Sequence, residues 1–164
     1  MESYAEDLAA HLLDRGLTVG TVESATGGLI SNILTNVPGS SHFYKGSVVA
    51  YSNEIKTGVV GVNPATAEAH GAVSAEVAAE MAAGGRKLLK VDICVSDTGI
   101  AGPGGGSPDK PVGLFYLGLS YNGGTYSRRY VFGHDRMMNK QSAAEAAIKW
   151  IEELLTGKWL PGLS

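Results

Sequence analysis

The apolar residues of this chain switch repeatedly between a helical and a strand period, and that alternation limits the fold more than any other feature. Ala5, Leu8, Ala9, Leu12 and Leu13 fall at helical spacing, so residues 4–15 read as an amphipathic helix. Ser3 with Glu6 makes a capping box, and Gly16 supplies the stop. Residues 17–22 carry Leu17, Val19 and Val22 and read as a strand. The turn Glu23-Ser24-Ala25-Thr26-Gly27-Gly28 leads into a helical stripe of Leu29, Ile30, Ile33 and Leu34, which Val37-Pro38-Gly39-Ser40-Ser41 breaks. Residues 46–51 read as a second strand, and Ser52-Asn53-Glu54 opens a short helical piece holding Lys56. Ser74 caps a helix with Val77, Ala78, Met81, Leu88 and Leu89 on one face. Gly84 and Gly85 weaken its second half by about 1 kcal/mol each. Val91 to Val95 is a strand, and residues 112–121 and 125–132 form a hairpin through Asn122-Gly123-Gly124. Residues 139–155 make the last helix, burying Ala143, Ala147, Ile148, Ile151 and Leu155.

Helices alternating with strands, then a late hairpin, predict an α/β layered domain. Its sheet is mixed, parallel at the front and antiparallel at one edge. At 164 residues the chain fits one domain over 1–164 and can bury about two-thirds of its unfolded surface. The net charge of −3 leaves no basic surplus to draw it onto nucleic acid or an anionic membrane. A single cysteine, Cys94, excludes an internal disulfide and reads as a small buried hydrophobe. No stretch approaches a membrane span, the N-terminus is acidic rather than signal-like, and the expected setting is the cytoplasm.

Glycine is the outlier, 23 of 164, about twice the usual share. It gathers in loops that follow strands, where α/β sheets place their sites. In the first such loop, Ser24 sits between a strand and two glycines that open a helix. A serine on that turn can present its hydroxyl while backbone N–H groups at the helix start face the same point. The alternative is that Ser24 or Thr26 caps the helix at 27–35. In the second loop, Lys56 lies beside Ile55, Val59 and Val60. A desolvated lysine can serve as the base for a serine, although the local sequence by itself favours a plain surface lysine. His11 reads as solvated, and His42, His70 and His134 lie in loops with no carboxylate at a suggestive spacing. In the third loop, residues 98–110 hold five glycines and two prolines. Such a loop either seats an anion on successive N–H groups or serves turn geometry alone. It is neither a P-loop nor a dinucleotide fingerprint. No metal-ligand spacing appears.

Five motifs in order then resemble one family. They are Glu23-Ser24-Ala25-Thr26-Gly27-Gly28, Pro38-Gly39-Ser40-Ser41, Val48 to Lys56, His70-Gly71-Ala72-Val73-Ser74, and Thr98 to Gly106 with Lys110-Pro111-Val112-Gly113. Together they are similar to the C-terminal domain of competence/damage-inducible protein CinA, over about residues 5–155. The resemblance implies a three-layer α/β/α sandwich that hydrolyses the carboxamide of nicotinamide mononucleotide without metal or cofactor. It implies Ser24 as nucleophile and Lys56 as its base. It also implies substrate contacts from Tyr51, Thr98, and the basic residues Arg136 and Lys140. The N–H groups of Ala25, Thr26 and Gly27 would meet the oxyanion, and the loop carrying Gly99, Gly102, Gly104 and Gly105 would seat the ribose phosphate. The chain begins where that domain begins, so it resembles a stand-alone form. Asp97 stands where the family pattern usually has an apolar residue, Ala25 where Cys is common, and Lys140 where a second Arg is usual. A carboxylate at 97 would either hold Lys56 protonated or point away. The competing reading is a module that binds a nucleotide or a protein in the same pocket without turnover. Tyr116, Tyr121, Tyr126 and Tyr130 on the hairpin suit either self-association as a homo-oligomer or packing against the body of the domain.

Overall fold

A computed structural model describes residues 3–161, so the side chain of Ser3, and with it the expected capping box, lies outside the described residues. The chain runs α1 (Ser3–Arg15), β1 (Val19–Glu23), α2 (Leu29–Thr35), β2 (Tyr44–Val49), a short α3 (Asn53–Ile55), α4 (Pro64–His70) and α5 (Ala75–Leu89). It continues with β3 (Ile93–Gly99), β4 (Leu114–Tyr121), β5 (Gly124–Val131) and α6 (Arg136–Thr156). The five strands form one sheet in the order β2-β1-β3-β4-β5. The first three are parallel, and β4 and β5 add antiparallel at one edge, the mixed arrangement expected.

Two layers of helix cover the two faces. On one, α1, α2 and α6 pack over Val19, Ile93, Val95, Leu117 and Leu119. On the other, Val77 and Met81 of α5 pack over Val22 and Cys94. Alternation along each strand decides which side chains face which layer. Thr21 and Glu23 of β1 face the α2 layer, where Ser31 of α2 bonds both. Gly85 of α5 meets Val22 on the opposite face.

The glycines of α5 are there for close approach. A Cβ on Gly85 would stand 2.3 Å from Val22 Cγ2 and 2.7 Å from Cys94 Sγ, and one on Gly84 would stand 2.1 Å from the Val60 carbonyl oxygen. The buried stripe of α5 is therefore Val77, Ala78, Met81, Ala82 and Gly85. Leu88, expected on that face, is 46% exposed.

Cys94 is buried and its thiol is pushed up to about 12 by desolvation, so it packs as a hydrophobe. Three of the four hairpin tyrosines pack inward. Tyr121, Tyr126 and Tyr130 lie against the core shared with α6, Tyr126 meets Trp159 edge-on, and Tyr130 stacks on Phe132. No described helix is long and apolar enough to cross a membrane.

Candidate active site

The strand order reverses direction at β1. Its connection through α2 leads outward to β2, and the return through α5 leads to β3 on its other side. Ligands in open α/β sheets bind at such a switch point, beyond the carboxyl ends of the strands. A cavity of about 300 Å³ opens there. Ser24 and Ala25 reach it from the end of β1, Tyr51 and Lys56 from beyond β2, and Thr98 and Gly99 from the end of β3. The Gly-rich loop contributes Gly102, Gly104 and Gly105, and α6 contributes Arg136 at its first turn. Three sequence-remote loops thus converge on one hollow.

Ser24 is buried, and among the described residues its hydroxyl has no hydrogen-bond partner, which leaves the oxygen to the cavity. Its main chain is tied down. The Ser24 N–H donates to Asp97 Oδ1 at 3.0 Å and the Thr26 N–H to Asp97 Oδ2 at 3.1 Å, while the Thr26 hydroxyl also donates to this carboxyl. Neither Ser24 nor Thr26 caps α2. The cap position is Gly28, in the left-handed region at φ 104°, with no side-chain bond. The capping carboxylate is Glu23, wholly buried, which accepts from the N–H groups of Gly28, Ile30 and Ser31. A carboxylate at a helix N-terminus is stabilised by the partial positive charge there.

This carboxylate floor alters the expected oxyanion site. Gly27 N–H is taken by the Ser24 carbonyl oxygen at 3.1 Å and Thr26 N–H by Asp97. Of the three amides expected to meet an oxyanion, only Ala25 has no acceptor among the described residues. Thr26, Gly27 and Lys140 line a separate groove of about 410 Å³ on the other flank of the turn, with the exposed Met137. They do not line the cavity that holds Ser24.

Lys56 begins a single turn of π-helix (Lys56–Val60), a rare wide turn found mostly at functional sites. The turn directs the side chain inward, and Lys56 is only 4% exposed. Its Nζ donates to the Tyr51 carbonyl oxygen at 3.1 Å. Desolvation pulls the amine below the usual lysine range, and the nearby Asp97 charge partly opposes that shift. Asp97 is itself pushed up to about 6, first by burial and further by Glu23, against the hydrogen bonds from Thr26 and Ser24. Both expectations for Asp97 thus hold in part: its oxygens turn to the Ser24–Thr26 backbone, and its charge still reaches Lys56.

The remaining walls are pinned from behind. Thr98 donates its hydroxyl to the Ala72 carbonyl at 2.8 Å, and so faces α5 while its strand end lines the cavity. Arg136 donates to the Gly102 carbonyl at 2.8 Å. The wholly buried Asn139 donates to the carbonyls of Ala101 and His134, and Lys110 Nζ donates to the His70 carbonyl at 2.6 Å. The N–H groups of Gly102, Gly104 and Gly105 have no internal acceptor among the described residues. Tyr51, by contrast, is 65% exposed at the rim.

No histidine lines the cavity. His11 bonds Glu152 at 3.0 Å rather than lying free in solvent, and His70 pairs with Glu76 at 3.4 Å across an exposed surface. Asn53, Ala72 and Val73 also line the cavity; they lie within the motifs read from the sequence but were not expected as site residues. In the sequence Glu23 reads as the first residue of the turn, whereas it ends β1. Its signal is the two-residue period that sets it beside Thr21, facing α2.

The chain and its fold are similar to those of known proteins. The CinA-like protein of Chloroherpeton thalassium is 47% identical over 154 residues, covering 92% of this chain and 37% of its own length. The CinA-like protein of Salinibacter ruber is 50% identical over 135 residues, covering 82% and 33%. The chain thus spans about a third of these curated relatives. Among solved structures, the competence/damage inducible protein CihA from Agrobacterium tumefaciens superposes with a TM-score of 0.91 at 35% identity, over 93% of this chain and 94% of that one. A CinA superfamily protein from Klebsiella pneumoniae gives 0.91 at 30% identity, over 96% and 98%. Residues 1–155 match the CinA C-terminal domain. With a family model matched over nearly the whole chain and these likenesses beside it, the chain belongs to the CinA C-terminal domain family.

Proposed function

We propose that this domain hydrolyses the carboxamide of nicotinamide mononucleotide to nicotinic acid mononucleotide and ammonia. The observation that carries the reading is a serine hydroxyl and a buried, pKa-lowered lysine amine lining one cavity. A neutral Lys56 keeps a lone pair for a proton while one N–H holds the Tyr51 carbonyl.

In this scheme Lys56 takes the Ser24 proton as the serine oxygen attacks the amide carbon. The negative charge that develops on the amide oxygen meets the Ala25 N–H. The protonated Lys56 then delivers its proton to the departing nitrogen, and ammonia leaves. Water, deprotonated by Lys56, attacks the acyl-serine, and that proton returns to Ser24 as the acid is released. The unpaired N–H groups at Gly102, Gly104 and Gly105, with Arg136 beside them, suit the phosphate, and Tyr51 suits the rim of the substrate. A homo-oligomer in the cytoplasm belongs to the same proposal, and sedimentation equilibrium tests the oligomer.

The test is ammonia release from nicotinamide mononucleotide, with nicotinamide and nicotinamide riboside alongside. Release from the mononucleotide that Ser24→Ala abolishes supports the reading. Release from another of the amides alone moves the assignment to that substrate. Binding without release from any of them leaves a nucleotide-binding module and ends the enzyme reading.

A further inference from the structure

Beneath the Ser24 turn lies a carboxyl group that the proposed reaction does not consume. Asp97 is wholly buried near the end of β3, and its two oxygens take the N–H groups of Ser24 and Thr26, the two ends of a three-residue turn. The middle amide, Ala25, stays without an acceptor and lines the cavity. We propose that Asp97 is a positioning residue, whose carboxyl clamps the Ser24–Thr26 turn from below and so presents both the Ser24 hydroxyl and the Ala25 N–H to substrate. The proposal rests on Ser24 being the nucleophile.

No other group can substitute. The neighbouring carboxylate, Glu23, already accepts from Gly28, Ile30, Ser31 and the Thr26 hydroxyl. Asparagine at 97 has a single acceptor oxygen, so its NH₂ would face one of the two N–H donors and that end of the turn would lose its bond. The charged groups that act on Asp97 are Glu23 from β1 and Lys56 from the π turn. The clamp therefore works against the base: a carboxylate at 97 favours protonated Lys56, the form that cannot accept a proton.

These opposed effects give a signature that simple loss of structure would not produce. In Asp97→Asn the plateau kcat falls about 10²-fold, the cost of a nucleophile out of place by about an ångström, while KM stays within about threefold. At the same time the acid limb of the pH profile moves to lower pH, because the charge that held Lys56 protonated is gone. A second readout needs no amide substrate: labelling of Ser24 by a fluorophosphonate slows at least tenfold in the variant. A plateau kcat within about threefold of wild type, or equal labelling rates, overturns the clamp while leaving Ser24 as nucleophile. If the wild-type protein neither labels at Ser24 nor releases ammonia, the nucleophile reading itself falls and the clamp falls with it. Should Asp97→Asn fail to fold, hydrogen exchange of the wild-type protein decides. The Ser24 and Thr26 amides are expected to be protected and Ala25 to exchange fast, and equal exchange at all three overturns the proposal.

Discussion

Lys56 shows why identity alone cannot assign a base. In solution a lysine amine is protonated throughout the neutral range. Here burial favours the uncharged form and Asp97 favours the charged one, with burial the larger influence. Turnover should therefore rise with pH through the lowered value of Lys56 and level off below the pH at which a free lysine would titrate; a pH profile of kcat checks this. Lys56→Ala is expected to cost 10²–10⁴-fold in kcat with the fold intact by circular dichroism. Lys56→Arg restores the positive charge but not a group that can become neutral, and should be as inactive. Recovery of activity in the arginine variant would show that charge, not proton transfer, is what the position supplies. The sequence placed Ser24 and Lys56 as candidates because strand-end loops are short and each residue has its own local signal. Asp97 stood out beside the site, but its bonds to the Ser24 turn were not legible, since they form only after β1 and β3 lie side by side.

At the scale of elements, α5 is the part that ties the site to the sheet. Its glycines let it approach both Val22 on β1 and the Val60 carbonyl at the end of the π turn. Gly85→Ala gains helix propensity of about 1 kcal/mol but drives a methyl against the stiff, β-branched Val22 side chain. The expected net loss is about 1–3 kcal/mol in a denaturant melt. Gly84→Ala pushes on backbone instead, at the turn whose first residue is Lys56. It should lower kcat more than its effect on melting would suggest. The same glycines explain the one misplaced face. A periodicity argument recognises leucines, so it set Leu88 inward, whereas the buried stripe continues through a residue with no side chain. Helix α4 escaped the sequence reading because its residues offer no apolar stripe. Its only signs are the Asn63 cap, which accepts from the Ala65 N–H, and Pro64 in the first turn.

For the molecule as a whole, the layered α/β architecture and its antiparallel edge were legible from the order of periods, because each element buries one face and connections are short. Hidden from the sequence was the cost of the site to the fold. Asp97 has a native pKa raised from 3.8 to about 6. The native state therefore holds that proton more tightly than the unfolded chain. The stabilisation is complete below about pH 4 and is lost as pH rises through about 6. The loss is on the order of 3 kcal/mol. In urea melts from pH 4 to 7, wild type should lose stability relative to Asp97→Asn across that window and run parallel above it. A difference between the two proteins that stays constant with pH would show that Asp97 is not the group responsible.

The floor under Ser24 has a consequence for what the pocket can accept. With Asp97 and Glu23 already bonded to the amides around the turn, the bottom of the cavity has almost no latitude to reshape itself around a guest. Adaptation to a new substrate is left to the parts that stand clear of that scaffold, the solvent-facing Tyr51 and the glycine-built wall from 102 to 105. Under the proposed reaction, a change of substrate would fall on those parts and leave the Ser24 turn as it stands.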